Sequence, residues 1–380
     1  MVAHTGINLE NVKANNRSAI LKLLNERGAM SRKDLAHELG LTPATVTLIC
    51  TELIGAGILY EQGEMVEDKR AGRKKILLGI DYTCRYVLSI SIEALDTCIT
   101  VSDMKGQHRT ERHLKTDTET EPENFLQTIA NESKVLMWEA GISREKILGV
   151  GVSIPGPVDR EAGVSQKAYQ IWDRPVHVTA CLEQQLEFPV IVENNVKAFA
   201  EAELIYGMGR KRENLLFLKW GPGVGSAIVI DSAIYESHIA KEGEIGHIRV
   251  EKNGKRCRCG RRGCLETKAS IHAIAEQVAA ACTAQSMPKL YQMVEGDLTQ
   301  IRARTIEQWI QADDPGMWKV IEDVIEQVAN TVCSAVTLIA PDGVIVYGSV
   351  FRLPQIWERF LALCAQYDPA YDEPEIHRPV

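Results

Sequence analysis

The sequence lacks any run of about 18 uncharged apolar residues, so no membrane-spanning helix is expected. Residues 1–13 contain no apolar core, so no secretory leader is read there. The composition of a disordered chain is also missing: 45% of the residues are apolar and 25% charged. An excess of positive charge is absent too. The chain has 43 basic and 51 acidic side chains, net −8, which on its own argues against nucleic acid. What remains is a cytoplasmic globular protein of 380 residues, long enough for two or three domains. There its ten cysteines are expected to be reduced, buried or metal-bound.

The charge is unevenly spread. Residues 1–77 hold 11 basic and 9 acidic side chains, and the rest hold 32 and 42. The head is therefore net +2 and the remainder net −10. Five cations crowd into seven residues, Lys69-Arg70-Ala71-Gly72-Arg73-Lys74-Lys75.

Residues 17–56 read as three helices. Ala19, Ile20, Leu23 and Leu24 recur at helical spacing, and Gly28 ends the first helix. Ser31 can cap a second helix with Asp34 at the third position, and Gly40 stops it. Thr42-Pro43 is a start signal for a third, ended by Gly55 and Gly57. That helix buries Val46, Ile49, Cys50 and Leu53, which leaves a small, hydroxylated outer face. Two short helices joined by a tight turn form a helix-turn-helix, whose second helix enters the major groove. Residues 57–61 and 75–78 read as two strands around the cation-rich loop, which makes a winged helix with a basic tip. The expected DNA contacts are Thr42, Ala44, Thr45, Thr47 and Thr51 on the helix, with Arg70, Arg73, Lys74 and Lys75 on the wing.

From residue 78 the pattern is mixed α/β. Strands are expected at 86–92, 147–154, 190–195, 215–220 and 344–348, with loops after them that suit a ligand cleft. The most specific signal is His247 followed by Cys257, Cys259 and Cys264, a C-x-C-x4-C run. Three thiols and an imidazole make a tetrahedral Zn2+ site, one per chain. Thiolates favour zinc over magnesium or calcium. All four positions are filled by protein, so the metal is expected to be structural.

These residues, with Ile154-Pro-Gly-Pro-Val-Asp159, Glu193-Asn-Asn195, Gly221-Pro-Gly-Val-Gly225, Glu244-Ile-Gly-His247 and Cys264-Leu-Glu266, resemble the ROK family of repressors, open reading frames and kinases. The winged helix places the chain with the family's repressor branch, similar to regulators of glucose, N-acetylglucosamine and xylose genes. The resemblance implies a two-lobed actin-like (ribonuclease H-like) fold of the ATPase type around a sugar cleft, and dimers or dimers of dimers. It divides the chain into a head, 1–77, and lobes at 78–190 and 191–380. The family's long closing helix after the late strand is expected to be missing, because the sequence ends at Val380. Sugar contacts are implied at Asn194, Asn195, Glu244, His247 and Glu266.

Family kinases use the Asp of Glu-Asn-Asp as general base, and here Asn195 stands in its place. An amide can hold a hydroxyl but cannot accept its proton. The family's Asp-x-Gly-x-Thr phosphate turn is read as Asp81-Tyr82-Thr83-Cys84-Arg85, without the glycine. Pro222 replaces a threonine in the second turn, and the late Gly-Gly is Gly348-Ser349. No ATP and no catalysis are therefore expected. The reading is a transcriptional repressor of sugar uptake and metabolism genes. Its partners would be a near-palindromic DNA operator, a sugar or sugar-phosphate effector, a second copy of itself, and a sugar-phosphotransferase protein. The alternative is an ATP-dependent sugar kinase with a DNA-binding head.

Overall fold

The computed structural model describes residues 9–65, 75–236, 242–303, 305, 309–310, 314–367 and 376–378. Two compact units divide the chain. One comprises residues 1–87, 101–109 and 140–148, and the other 88–100, 110–139 and 149–380.

The first unit opens with α1 (Leu9–Arg27), β1 (Met30–Ser31), α2 (Arg32–Leu39), α3 (Pro43–Gly55), β2 (Leu59–Met65) and β3 (Lys75–Ile80). Local chemistry sets each boundary. Gly28, with φ of +81°, follows α1. Ser31 Oγ accepts from Asp34 N at 3.2 Å and also meets the Asp34 carboxylate at 2.7 Å. Gly40 ends α2 in the left-handed conformation. Thr42 caps α3 at Thr45 N, with Pro43 in the first turn. The first helix starts at Leu9, eight residues before the expected 17. Its N-terminal half lacks the apolar repeat by which the rest was read.

Strand β3 lies between β1 and β2 and is antiparallel to both, which completes a winged helix. The helices close on one core of Ile20, Leu24, Leu35, Val46, Ile49, Cys50, Leu53 and Leu78. Arg70, Arg73 and Lys74, expected at the wing tip, lie outside the described residues. Lys75 opens β3, but its side chain is not among those described.

Most of the remaining elements belong to the second unit. They are β4 (Tyr86–Ile92), β5 (Asp96–Asp103), β6 (His108–Lys115), α4 (Pro122–Glu139), β7 (Ile147–Ile154), β8 (Val158–Asp159), β9 (Val164–Ser165), α5 (Val178–Leu186), β10 (Val190–Asn194) and α6 (Asn195–Ile205). There follow β11 (Leu215–Trp220), β12 (Val224–Ile230), β13 (Ala233–Ile234), α7 (Glu266–Ala269), α8 (Ile271–Ala281), α9 (Pro288–Met293), α10 (Pro315–Ile339), β14 (Gly343–Tyr347), α11 (Pro354–Tyr367) and β15 (Ile376–His377).

Two five-stranded sheets organise these elements, in the orders β10-β7-β4-β5-β6 and β13-β12-β11-β14-β15. In the first, β10 runs parallel to β7, with Asn194 opposite Ile154. In the second, β11 is antiparallel to β12 and parallel to β14. Every residue of β11 is buried, as its near-continuous apolar run requires. Helix α10 is capped by Asp314 and buries Ile321, Val324, Ile325, Val328 and Val332 against a core that includes residues of α8 and α11. The whole is mixed α/β, a winged helix followed by an actin-like body.

All ten cysteines are free thiols. Of the seven outside the cluster described below, Cys50, Cys84, Cys282 and Cys364 are buried, while Cys98, Cys181 and Cys333 are half-exposed. Of the cysteines outside the candidate metal cluster, burial therefore holds for four of seven. Among the described residues no helix is long and apolar enough to cross a membrane.

Candidate functional site

One cavity of the second unit brings together Glu93, Gln170, Asn194, Asn195, Lys219, Glu244, His247 and Glu266. Strand ends deliver most of them. Glu93 follows β4, Asn194 and Asn195 join β10 to α6, and Lys219 is near the end of β11. All five residues for which the family resemblance implies sugar contacts line this cavity.

Their side chains are not equally available. Asn194 Oδ1 accepts from Val196 N at 2.9 Å and Lys197 N at 3.2 Å, so it caps α6. Its Nδ2 donates to Gly156 O at 2.9 Å, which leaves one N–H for a ligand. Glu266 accepts from Val224 N at 2.7 Å, and burial raises its pKa above the usual carboxylate value. It thereby fixes the second Gly-rich turn as well as facing the cavity. Glu244 Oε2 lies 3.0 Å from His247 Nε2.

Asn195 is buried, and its Nδ2 donates to Glu93 Oε1 at 2.8 Å. The Lys219 ammonium pairs with the same carboxylate. Glu93 and Lys219 were not anticipated, although Lys219 is the one cation in an otherwise apolar buried strand. Gln170 gave no sequence signal either. It adopts φ of +67°, donates from Nε2 to Pro222 O at 2.8 Å, and keeps its buried Oε1 without a protein partner. An orphaned buried acceptor in a polar cavity is a place for a ligand hydroxyl.

The structure corrects the position of the first phosphate turn. Asp81–Arg85 precedes β4 and does not line the cavity, whereas Glu93 and Ala94 in the β4–β5 hairpin do. A phosphate turn must follow a strand of that sheet to face the cleft; the hairpin does so, and Asp81–Arg85 does not. Its Glu93 carboxylate is a poor neighbour for phosphate.

Beside the cavity, His247, Cys257, Cys259 and Cys264 place their ligand atoms within 4.8 Å of one another. His247 Nδ1 is 3.6 Å from Cys257 Sγ, and Cys259 Sγ is 3.7 Å from Cys264 Sγ. Metal–sulfur bonds of about 2.3 Å in a tetrahedron separate their sulfurs by roughly 3.8 Å, so the donor set fits a metal ion. Gly260 and Gly263, with φ of +91° and +71°, turn the loop. A Cβ on Gly263 would stand 1.9 Å from Glu251 O.

Burial pushes the Cys264 thiol up to about 12. Burial also acts on Cys259, but hydrogen bonds from the Arg261 backbone and side chain bring it down to about 7. Three thiols so close cannot all ionise without a cation among them. His247 thus turns Nδ1 to the thiols and Nε2 to Glu244, which joins the cluster to the cavity.

In the first unit, α3 buries Val46, Ile49, Cys50 and Leu53 and exposes Thr42, Ala44, Thr47 and Thr51, with Thr45 half-buried. Thr47 Oγ1 donates to Pro43 O at 2.7 Å, and Thr51 Oγ1 to Thr47 O at 2.8 Å. Their hydroxyl protons are thus spent on the helix. The outer face therefore offers oxygen lone pairs and methyl groups, the latter suited to thymine. Leu48, 59% exposed at its centre, extends that apolar patch and was not among the expected contacts.

Comparison with known proteins bears on both regions. The ROK family profile matches residues 87–375 and that of the MarR family residues 15–71. The chain belongs to the ROK family. This ROK chain is 25% identical over 353 residues to the Escherichia coli K12 DNA-binding transcriptional dual regulator NagC, covering 92% of this chain and 84% of that one. It is 26% identical over 273 residues to the E. coli K12 DNA-binding transcriptional repressor Mlc, covering 70% and 66%. A crystal structure of a ROK family transcriptional regulator, a homologue of the E. coli Mlc protein, superposes with a TM-score of 0.79 at 25% identity. It covers 97% of this chain and 91% of that one. A ROK glucokinase from Streptomyces griseus, solved with glucose and AMPPNP, gives 0.64 at 23% identity over 73% of this chain and 89% of that one, and shows the shared fold.

Proposed function

We propose that this ROK protein is a cytoplasmic DNA-binding repressor of sugar uptake or metabolism genes. Its kinase-like body binds a sugar or sugar phosphate and does not phosphorylate it. The observation that carries this reading is the contact of Asn195 with Glu93. Where the family resemblance puts the catalytic base, an amide N–H donates a hydrogen bond, and its acceptor is the Glu93 carboxylate in the hairpin read as the first phosphate turn. Neither group invites a γ-phosphate. The names of its relatives NagC and Mlc support the regulatory role.

The head would be residues 1–77, with lobes at 78–190 and 191–380. As a dimer, the chain would set two α3 helices in successive major grooves of an operator. Thr42, Ala44, Thr45, Thr47 and Thr51 would face bases, while Arg70, Arg73, Lys74 and Lys75 would neutralise phosphates. Asn194, Asn195, Glu244, His247 and Glu266 would hold sugar hydroxyls, with Gln170 Oε1 taking one more. To derepress, the sugar must bind the arrangement unable to hold DNA more tightly than the DNA-bound one.

His247, Cys257, Cys259 and Cys264 would hold Zn2+. With every position filled by protein, the ion would supply no Lewis-acid chemistry and would fix the His247 ring beside the cavity. The reading is tested by incubating the protein with ATP-Mg2+ and a panel of hexoses, pentoses and amino sugars. No sugar phosphate is expected. Turnover abolished by Asn195→Ala would establish the kinase instead.

A further inference from the structure

On the β5–β6 hairpin, three donors converge that share no residue with the His247 cluster. Cys98 Sγ lies 3.7 Å from His113 Nε2, and Glu111 Oε1 lies 3.8 Å from the same nitrogen. The three ligand atoms are within 4.8 Å of one another. Around a tetrahedral zinc, nitrogen–sulfur and nitrogen–oxygen edges are about 3.4–3.6 Å. Both edges to His113 Nε2 therefore lie within a few tenths of an ångström of those an ion would set, and the Cys98–Glu111 edge, no longer than 4.8 Å, can close around it by side-chain rotation.

The other histidine nitrogen supplies the second observation. His113 Nδ1 sits 2.7 Å from Asp96 Oδ2. In the neutral tautomer with its proton on Nδ1, which that carboxylate favours, the ring turns its Nε2 lone pair to the thiol and Glu111. A carboxylate orienting a histidine whose far nitrogen meets further donors is the arrangement of a metal ligand with its support. As a bare surface ion pair, Asp96 and His113 would gain little and would need neither Cys98 nor Glu111.

We propose that Cys98, Glu111 and His113 form a second metal site, which takes Zn2+ with water in the fourth position. The mixed thiolate, imidazole and carboxylate set suits zinc and not Mg2+ or Ca2+, which prefer oxygen alone. Cys98 is half-buried and Glu111 and His113 are exposed, so the ion exchanges with solvent and comes off before the enclosed cluster is stripped. Asp96 acts as a positioning residue.

The test loads the full-length protein with zinc chloride, removes excess by gel filtration and measures zinc per chain. The wild type is expected to carry two ions, and Cys98→Ser and His113→Gln one each, with unchanged circular dichroism. Asp96→Asn is expected to weaken the second ion at least about tenfold. Equal zinc in wild type and Cys98→Ser overturns the proposal. Cys259→Ser reports on the other cluster, so failure of one site is distinguishable from failure of the other.

Discussion

Glu93 is shared by the Asn195 amide and the Lys219 ammonium, a balance of one anion, one cation and one neutral donor. Asn195→Asp would set two carboxylates within hydrogen-bond distance and raise the pKa of at least one. We expect a loss of about 1–3 kcal/mol and no gain of kinase activity. A carboxyl whose folded pKa is raised loses stability as the pH rises above its unfolded value near 4. Thermal melts should therefore separate variant from wild type at pH 7.5 and converge towards pH 4. A gap independent of pH would point to packing instead. At this scale the His247 cluster was legible, because four candidate ligands declare themselves by residue type and spacing. Glu93 and Gln170 were not, because tertiary folding alone brings positions 93, 170, 195 and 219 to one cavity. The same reason explains the misplaced phosphate turn: Asp81 matched a motif letter, whereas Glu93 matched a location.

The element scale was read best where a cap or an apolar period fixes the boundary. Ser31, Gly40, Thr42 and the buried face of α3 stand as the sequence predicts, each through an interaction within a few residues. Ser31→Ala should cost about 1 kcal/mol, read as a drop in melting temperature. Gly348 is a stricter case. Its φ is +119°, and a Cβ there would stand 2.0 Å from Trp220 O, so Gly348→Ala should destabilise by more than about 1 kcal/mol in denaturant unfolding. On α3, Thr47→Glu places a carboxylate where the account puts DNA. Because Thr47 is exposed, the fold should survive while specific operator binding falls at least tenfold in a gel-shift assay. What the sequence did not show was the direction of the threonine hydroxyls. Those of Thr47 and Thr51 bond back to the helix.

Across the whole molecule, the net charge of −8 averages a basic head with an acidic body. Operator affinity should therefore fall steeply as salt rises from 50 to 200 mM, by counterion release from the wing and the helices. The cluster loop carries Lys255, Arg256, Arg258, Arg261 and Arg262 around its thiols. Chelation should lower the melting temperature and open these sites to trypsin, with cleavage mapped by mass spectrometry. The central claim is that a kinase fold without kinase chemistry couples sugar to DNA. Its most direct test is operator affinity of the full-length protein, measured with and without glucose, xylose, N-acetylglucosamine and its 6-phosphate. The account predicts that one of these weakens binding by at least about fivefold. It also predicts that Glu244→Gln suppresses the effect without altering affinity in the absence of sugar. Operator affinity indifferent to every sugar, or a response that Glu244→Gln leaves intact, would contradict it.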